Sequence, residues 1–210
     1  MSSKSKRKVG GLVGNMAKLY FRYGAMGSGK STVLMQVAYN YEQRGFKVFV
    51  LKPKGDTKGD NKLVSRIGIT REVDWVIDSD EQVYSKIDVL TDNMKCILVD
   101  EAQFLTERQV LELWEISKEY DIPVVCYGLK TSSKGKLFEG SKALLEVGDA
   151  FEELVTVCVC GTKARFNARK VNGEFTASGE EVVIDGTSNI EYTALCGKCY
   201  LEKVLKKTKK

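Results

Sequence analysis

Leu19-Tyr20-Phe21-Arg22-Tyr23-Gly24-Ala25-Met26-Gly27-Ser28-Gly29-Lys30-Ser31-Thr32-Val33-Leu34 runs from an apolar, aromatic stretch through a glycine-rich turn into a helical pattern. The apolar stretch, Ala17 to Tyr23, reads as a buried strand. Apolar positions at Val33, Leu34, Val37 and Ala38 continue a helix over Ser31 to Arg44, with Gly45 as its stop. Between the two, Gly24 to Ser31 fits the spacing G-x-x-x-x-G-K-[ST]. Glycines at those positions let successive backbone N–H groups turn inward around phosphates, and the following helix adds the positive end of its dipole. Gly24, Ala25, Met26, Gly27, Ser28 and Gly29 therefore form the candidate cradle, closed by Thr32 in the first helical turn. Lys30 would neutralise β- and γ-phosphates, and the Ser31 hydroxyl would ligate Mg²⁺. An exposed glycine turn with a solvated lysine is the alternative, and the strand–turn–helix context argues against it.

Such a site needs a carboxylate at the end of a second buried strand. Cys96-Ile97-Leu98-Val99-Asp100-Glu101 supplies one. Asp100 would serve the magnesium, and Glu101, one residue further on, could accept the proton of an attacking hydroxyl or water. The chain contains no histidine, so that base cannot be an imidazole. The two motifs define an ATP-using phosphotransferase or hydrolase and leave the acceptor open.

Working outward, Lys47 to Leu51 reads as a strand, followed by a polar loop. Val73 to Ile77 reads as a short strand, Glu81 to Leu90 as a helix, Thr106 to Tyr120 as a helix and Pro123 to Tyr127 as a buried strand. This alternation predicts an α/β fold with a mostly parallel sheet flanked by helices. Near Phe151 the pattern becomes β-like, with Gly turns and four cysteines. The expected organisation is a disordered basic tail over 1–15, a nucleotide-binding domain over 16–150, a β-rich subdomain over 151–202 and a basic tail over 203–210.

With 210 residues, 43% hydrophobic and 29% charged, the composition is that of a soluble globular protein. No signal-peptide core or membrane-length apolar run is evident, which suggests a cytoplasmic protein with no membrane partner. Nine basic residues in the two tails (Lys4, Lys6, Arg7, Lys8, Lys203, Lys206, Lys207, Lys209, Lys210) set against a net charge of +5 leave the body at −4. An acidic body argues against nucleic acid as a partner.

Six cysteines without an export signal point to thiols in a reducing compartment. Cys158-x-Cys160 and Cys196-x-x-Cys199 could supply four thiolates to a structural Zn²⁺, although reduced buried thiols are the alternative. Cys96 and Cys126 lie inside apolar strands and read as core.

The order GAMGSGKST, SRIG (Ser65–Gly68), DEAQF (Asp100–Phe104), YGLKT (Tyr127–Thr131), LFEGS (Leu137–Ser141), C-x-C, VVIDG (Val182–Gly186), Tyr192 and C-x-x-C resembles the zinc-containing thymidine kinases. The resemblance covers about Leu19 to Tyr200. It implies a phosphate-loop, RecA-like domain with a zinc-bearing lasso subdomain that phosphorylates the 5′-hydroxyl of thymidine from ATP, and of deoxyuridine as well. By this resemblance Glu101 is the base, and Asp100 with Ser31 serves magnesium. Met26, Gln103, Phe104, Leu129 and Phe138 line the thymine pocket, and Gln103 also borders the nucleotide. Asp56 matches a family aspartate after the second strand, and Lys58 stands where arginine is usual. Ser178 to Tyr192 matches the lasso, using backbone near Val183 and Asp185 with Tyr192 packing beside the base. Ser132-Ser133 replaces an acidic residue followed by Phe, which implies a more open pocket wall. A homotetramer is also implied.

The rival reading is a helicase-like ATPase, since Asp100-Glu101-Ala102-Gln103 resembles a DEAx box. Helicases of that type need two such domains, and this chain has one phosphate loop.

Overall fold

The computed structural model describes residues 16–55, 61–177 and 189–206. Six strands form one wholly parallel sheet: β1 (Leu19–Tyr23), β2 (Lys47–Pro53), β5 (Trp75–Ile77), β6 (Met94–Val99), β7 (Val124–Gly128) and β8 (Ala150–Glu153), in the order β5-β2-β6-β7-β1-β8. A small hairpin of β3 (Lys62–Val64) and β4 (Thr70–Glu72) leaves the sheet between β2 and β5.

Alternation along each central strand sends side chains to two cores. Leu19, Phe21, Ile97, Val99, Val124 and Cys126 face one side, where they meet helices α3 (Glu107–Glu119) and α4 (Glu139–Val147). Val48, Val50, Cys96, Leu98, Val125 and Tyr127 face the other, beneath Leu34, Met35 and Ala38 of α1 (Lys30–Glu42). Burial on both faces is why these strands read as continuous apolar runs. Cys96 and Cys126 are 1% and 0% exposed, as core residues should be.

The chain leaves β1 through α1, passes over β7 and β6, and enters β2. It later leaves β7 through α4 and crosses β1 to reach β8. Parallel sheets bind ligands beyond the carboxyl ends of the strands where the winding reverses. Here the segments after β1, β6 and β7 meet at that edge.

The structure corrects several sequence expectations. The helix expected over Glu81 to Leu90 is a tight 3₁₀ turn, Val83–Lys86, followed by the short α2 (Ile87–Thr91). The Glu112 carboxylate of α3 receives the N–H groups of Val83 and Tyr84, which fixes the turn by a tertiary contact. The hairpin β3–β4 and helix α4 were not anticipated from the pattern. Phe151 lies inside β8, paired to Phe21, so the six-stranded sheet runs to Glu153.

Helix α3 begins at an N-terminal capping box. Thr106 accepts from the Gln109 N–H at 3.3 Å, and the Gln109 side chain accepts from the Thr106 N–H at 3.1 Å. Thr106→Ala should lower stability by about 1 kcal/mol, seen as a lower urea midpoint with an unchanged denaturant slope.

The second unit contains the hairpin β9 (Thr156–Val157) and β10 (Lys163–Ala164), and a three-stranded sheet of β12 (Glu174–Thr176), β11 (Phe166–Val171) and β13 (Ile190–Leu195). It closes with α5 (Gly197–Tyr200). Among the described residues no helix is long and apolar enough to cross a membrane.

Candidate active site

The phosphate loop leaves β1 at Gly24 and delivers Lys30 as the first residue of α1. Gly27 and Gly29 adopt φ of 80° and 79°, the left-handed region that a side chain disfavours. Gly29 is the N-cap, and neither a capping side chain nor an acidic residue stands in the first turn. The first-turn N–H groups therefore have no side-chain acceptor from the cap, which suits an anionic ligand.

Lys30 is 8% exposed, and its ammonium donates to the Gly24 and Ala25 carbonyls at 3.1 and 3.2 Å. Burial pulls its pKa down. The charges of Glu101 and Asp100 oppose that pull, and Arg66 adds to it. The two carboxylates thus lie near enough to the ammonium to favour its charged form.

Asp100 follows β6 and is 3% exposed. Its Oδ2 accepts from the Ser31 hydroxyl at 2.8 Å, while Oδ1 is buried without a partner. Burial and then the neighbouring Glu101 charge push its carboxyl up to about 7, against the Ser31 hydrogen bond. One oxygen of this buried carboxylate is orphaned beside a hydroxyl, and the Lys30 charge offsets only part of the effect of burial. The donor set fits a hard divalent cation such as Mg²⁺, which takes oxygen ligands.

Glu101 adopts φ 48° and ψ 37°, a left-handed conformation that costs a non-glycine residue roughly 1–3 kcal/mol. The turn swings its carboxylate away from the strand, where Gln103 Nε2 donates to it. Gln103, 2% exposed, accepts the Leu129 N–H through Oε1 at 2.9 Å. Its amide so spans from the candidate base to the segment after β7. A Cβ on Gly128 would stand 2.7 Å from that Oε1, so the approach requires glycine there. Phe104 and Phe138 meet edge to face with centroids 5.7 Å apart, and the Leu129 carbonyl accepts from Ser141 at 2.6 Å. Gln103, Phe104, Leu129 and Phe138 thereby form one wall next to Glu101.

Ser132 and Ser133 lie on the segment after β7. Each is 3% exposed, and the Ser133 carbonyl accepts the Tyr200 hydroxyl at 2.6 Å. Tyr200 also stacks on Phe166. Tyr192 lies on β13 opposite Arg169 of β11. Asp56, Lys58, Val183 and Asp185 lie outside the described residues.

Cys158 and Cys160 sit at the end of β9, where the Cys158 N–H donates to the Thr162 carbonyl and the Gly161 N–H to the Cys158 carbonyl, each at 2.8 Å. Cys196 caps α5 and accepts from the Cys199 N–H at 3.4 Å. The four sulfurs lie within 4.8 Å of one another, and Cys160 and Cys196 are 3.6 Å apart. Tetrahedral metal–thiolate bonds of about 2.3 Å require sulfurs about 3.8 Å apart, so the cluster fits a metal ion.

One connecting residue has no signature in the sequence. Asn167 of β11, 3% exposed, accepts the Met26 N–H at 2.8 Å and donates to the Thr131 carbonyl at 3.0 Å. Thr156 adds a bond to the Gly27 carbonyl at 3.3 Å. The cysteine-bearing unit is thus bonded directly to the phosphate loop. A β-strand asparagine with no surrounding motif offers no signal for this before the fold is known.

Comparison with known proteins points to one family. A family profile described as thymidine kinase matches residues 17–200. Thymidine kinase of Francisella tularensis is 42% identical over 196 residues, covering 90% of this chain and 99% of that protein. That of Legionella pneumophila is 43% identical, covering 86% and 88%. That of Rhodopirellula baltica is 45% identical, covering 86% of each. A solved DNA replication initiation factor is similar at 19% identity and a TM-score of 0.42, over 67% of this chain and 40% of that one, which carries no argument about function.

Proposed function

The chain belongs to the thymidine kinase family, and from that premise we propose how its residues divide the transfer of phosphate from ATP to thymidine. The backbone of Gly24 to Ser31 holds the donor phosphates, and Lys30 exchanges its loop carbonyls for phosphate oxygens. Ser31 and Asp100 hold Mg²⁺, which supplies charge neutralisation to the phosphates when bound. Gln103, Phe104, Leu129 and Phe138, with Met26, hold the thymine base. Glu101 accepts the proton of the 5′-hydroxyl as its oxygen bonds to the γ-phosphorus and the bond to the β–γ bridging oxygen breaks, releasing ADP.

The observation that carries this assignment is the run from Glu101 through the Gln103 amide to the Leu129 N–H, which ties the base to the nucleoside wall. Asp56 and Lys58 join the donor site, and Val183, Asp185 and Tyr192 the lid, on the family resemblance alone. The four-cysteine cluster is read as structural Zn²⁺. Cytoplasmic residence and a homotetramer belong to the same proposal.

ATP consumption tests the reading against the helicase alternative. Thymidine should stimulate turnover and single-stranded DNA should not; stimulation by DNA alone would replace this assignment. Lys30→Ala should weaken ATP binding as well as rate, because it removes positive charge from the phosphates. Titration with a non-hydrolysable ATP analogue would check this.

A further inference from the structure

We infer that Arg66, on the hairpin between β2 and β5, is a catalytic residue that reaches over the phosphate loop and binds the phosphoryl group during transfer. The inference rests on the donor-site reading above.

The hairpin is built to present this residue. Leu63, 2% exposed, anchors β3 in the core beside Leu34 of α1. Ser65 is buried, and it makes the turn rigid. Its N–H donates to the Ile69 carbonyl, its hydroxyl accepts from the Ile69 N–H at 2.9 Å, and its carbonyl accepts the Gly68 N–H at 3.0 Å. Arg66 follows directly on this fixed point, and its own side chain is exposed. Its Nη1 lies 3.7 Å from where a Cβ on Gly27 would be. The guanidinium therefore overlies the loop at a residue that has no side chain to hold it off.

Arg66 thus brings a second cation to the loop that carries Lys30. Two cations brought to one loop work against each other until a polyanion arrives, and then both gain. Lys30 approaches from within the loop and Arg66 from the exterior. The transferred phosphoryl group carries its charge on three equatorial oxygens, more than one lysine and a metal can contact. A planar guanidinium with several N–H donors suits two of those oxygens at once.

The test compares Arg66→Gln and Arg66→Lys with wild type, using three readouts. Wild type must first phosphorylate thymidine; if it does not, the underlying function reading fails, whatever Arg66 does. Given that activity, Arg66→Gln should lower kcat about 10³-fold, the lower end for arginines acting on a transferring phosphate. KM for thymidine and the melting temperature should stay near wild type, because the side chain is exposed. Arg66→Lys should recover part of the rate. Tight binding of ADP with aluminium fluoride and thymidine, which mimics the transferring group, should be lost in Arg66→Gln while ADP alone binds as before. A kcat within about threefold of wild type, or an equal loss of affinity for ADP alone, would overturn the inference.

Discussion

Glu101→Gln should lower the rate of phosphoryl transfer about 10²- to 10⁴-fold, the contribution expected from a positioned general base. Glutamine keeps the size of the side chain and an oxygen that can still accept from Gln103 Nε2. The strained backbone at residue 101 is left with a side chain of similar shape. Binding of ATP should change little, since Lys30 and Ser31 remain. Removal of one negative charge facing Lys30 should, if anything, favour a polyanion there. Single-turnover measurements with saturating ATP and thymidine would isolate the chemical step. A rate within about threefold of wild type would exclude Glu101 as the base.

Cys196→Ser should also have a large effect, through a different route. The second unit has a small core: eight buried residues, three of them cysteines of the cluster. A structural zinc contributes on the order of 10 kcal/mol to units of this size, so losing one thiolate should loosen the whole unit. Because the two cysteine pairs flank the segment that resembles the lasso, a shared metal is expected to tether that loop without affecting the phosphate site. The contacts of Asn167 with Met26 and Thr131, and of Thr156 with Gly27, change that expectation. Thymidine affinity should fall more than tenfold, and ATP-analogue affinity should fall with it by a smaller factor. Asn167→Ala, which keeps the four thiolates, should reproduce the nucleotide defect without metal loss. Metal analysis, expected to give one zinc per wild-type chain, and titration of both ligands would decide this. Unchanged affinity for both ligands in Cys196→Ser would show that the unit does not support the site.

The site was legible in sequence where chemistry demands contiguous residues. The loop from Gly24 to Ser31 is a backbone structure, so its glycines must be adjacent, and Asp100 and Glu101 must follow a buried strand directly. The central strands were legible because burial on both faces leaves unbroken apolar runs. Helix α4 was not, since Gly140 and Ser141 in its first turn are weak helix formers. Gly140 is nonetheless needed, because a Cβ there would stand 2.4 Å from the Ala102 carbonyl. The hairpin carrying Arg66 was hidden for another reason: its strands are three residues each, too short for alternation to register. Asn167 was invisible because its partners are 141 and 36 residues away. Such contacts depend on the sheet order, which pattern alone does not specify.

The proposed assignment joins the phosphate loop, Glu101 and the thymine wall into one nucleoside-kinase site. Its most direct measurement is the fate of the γ-phosphate of labelled ATP in the presence of magnesium and a panel of nucleosides. Label is expected in thymidine 5′-monophosphate, with transfer to deoxyuridine as well and none to ribonucleosides or to the 3′-hydroxyl. Label released only as inorganic phosphate, at a rate that thymidine leaves unchanged, would contradict it.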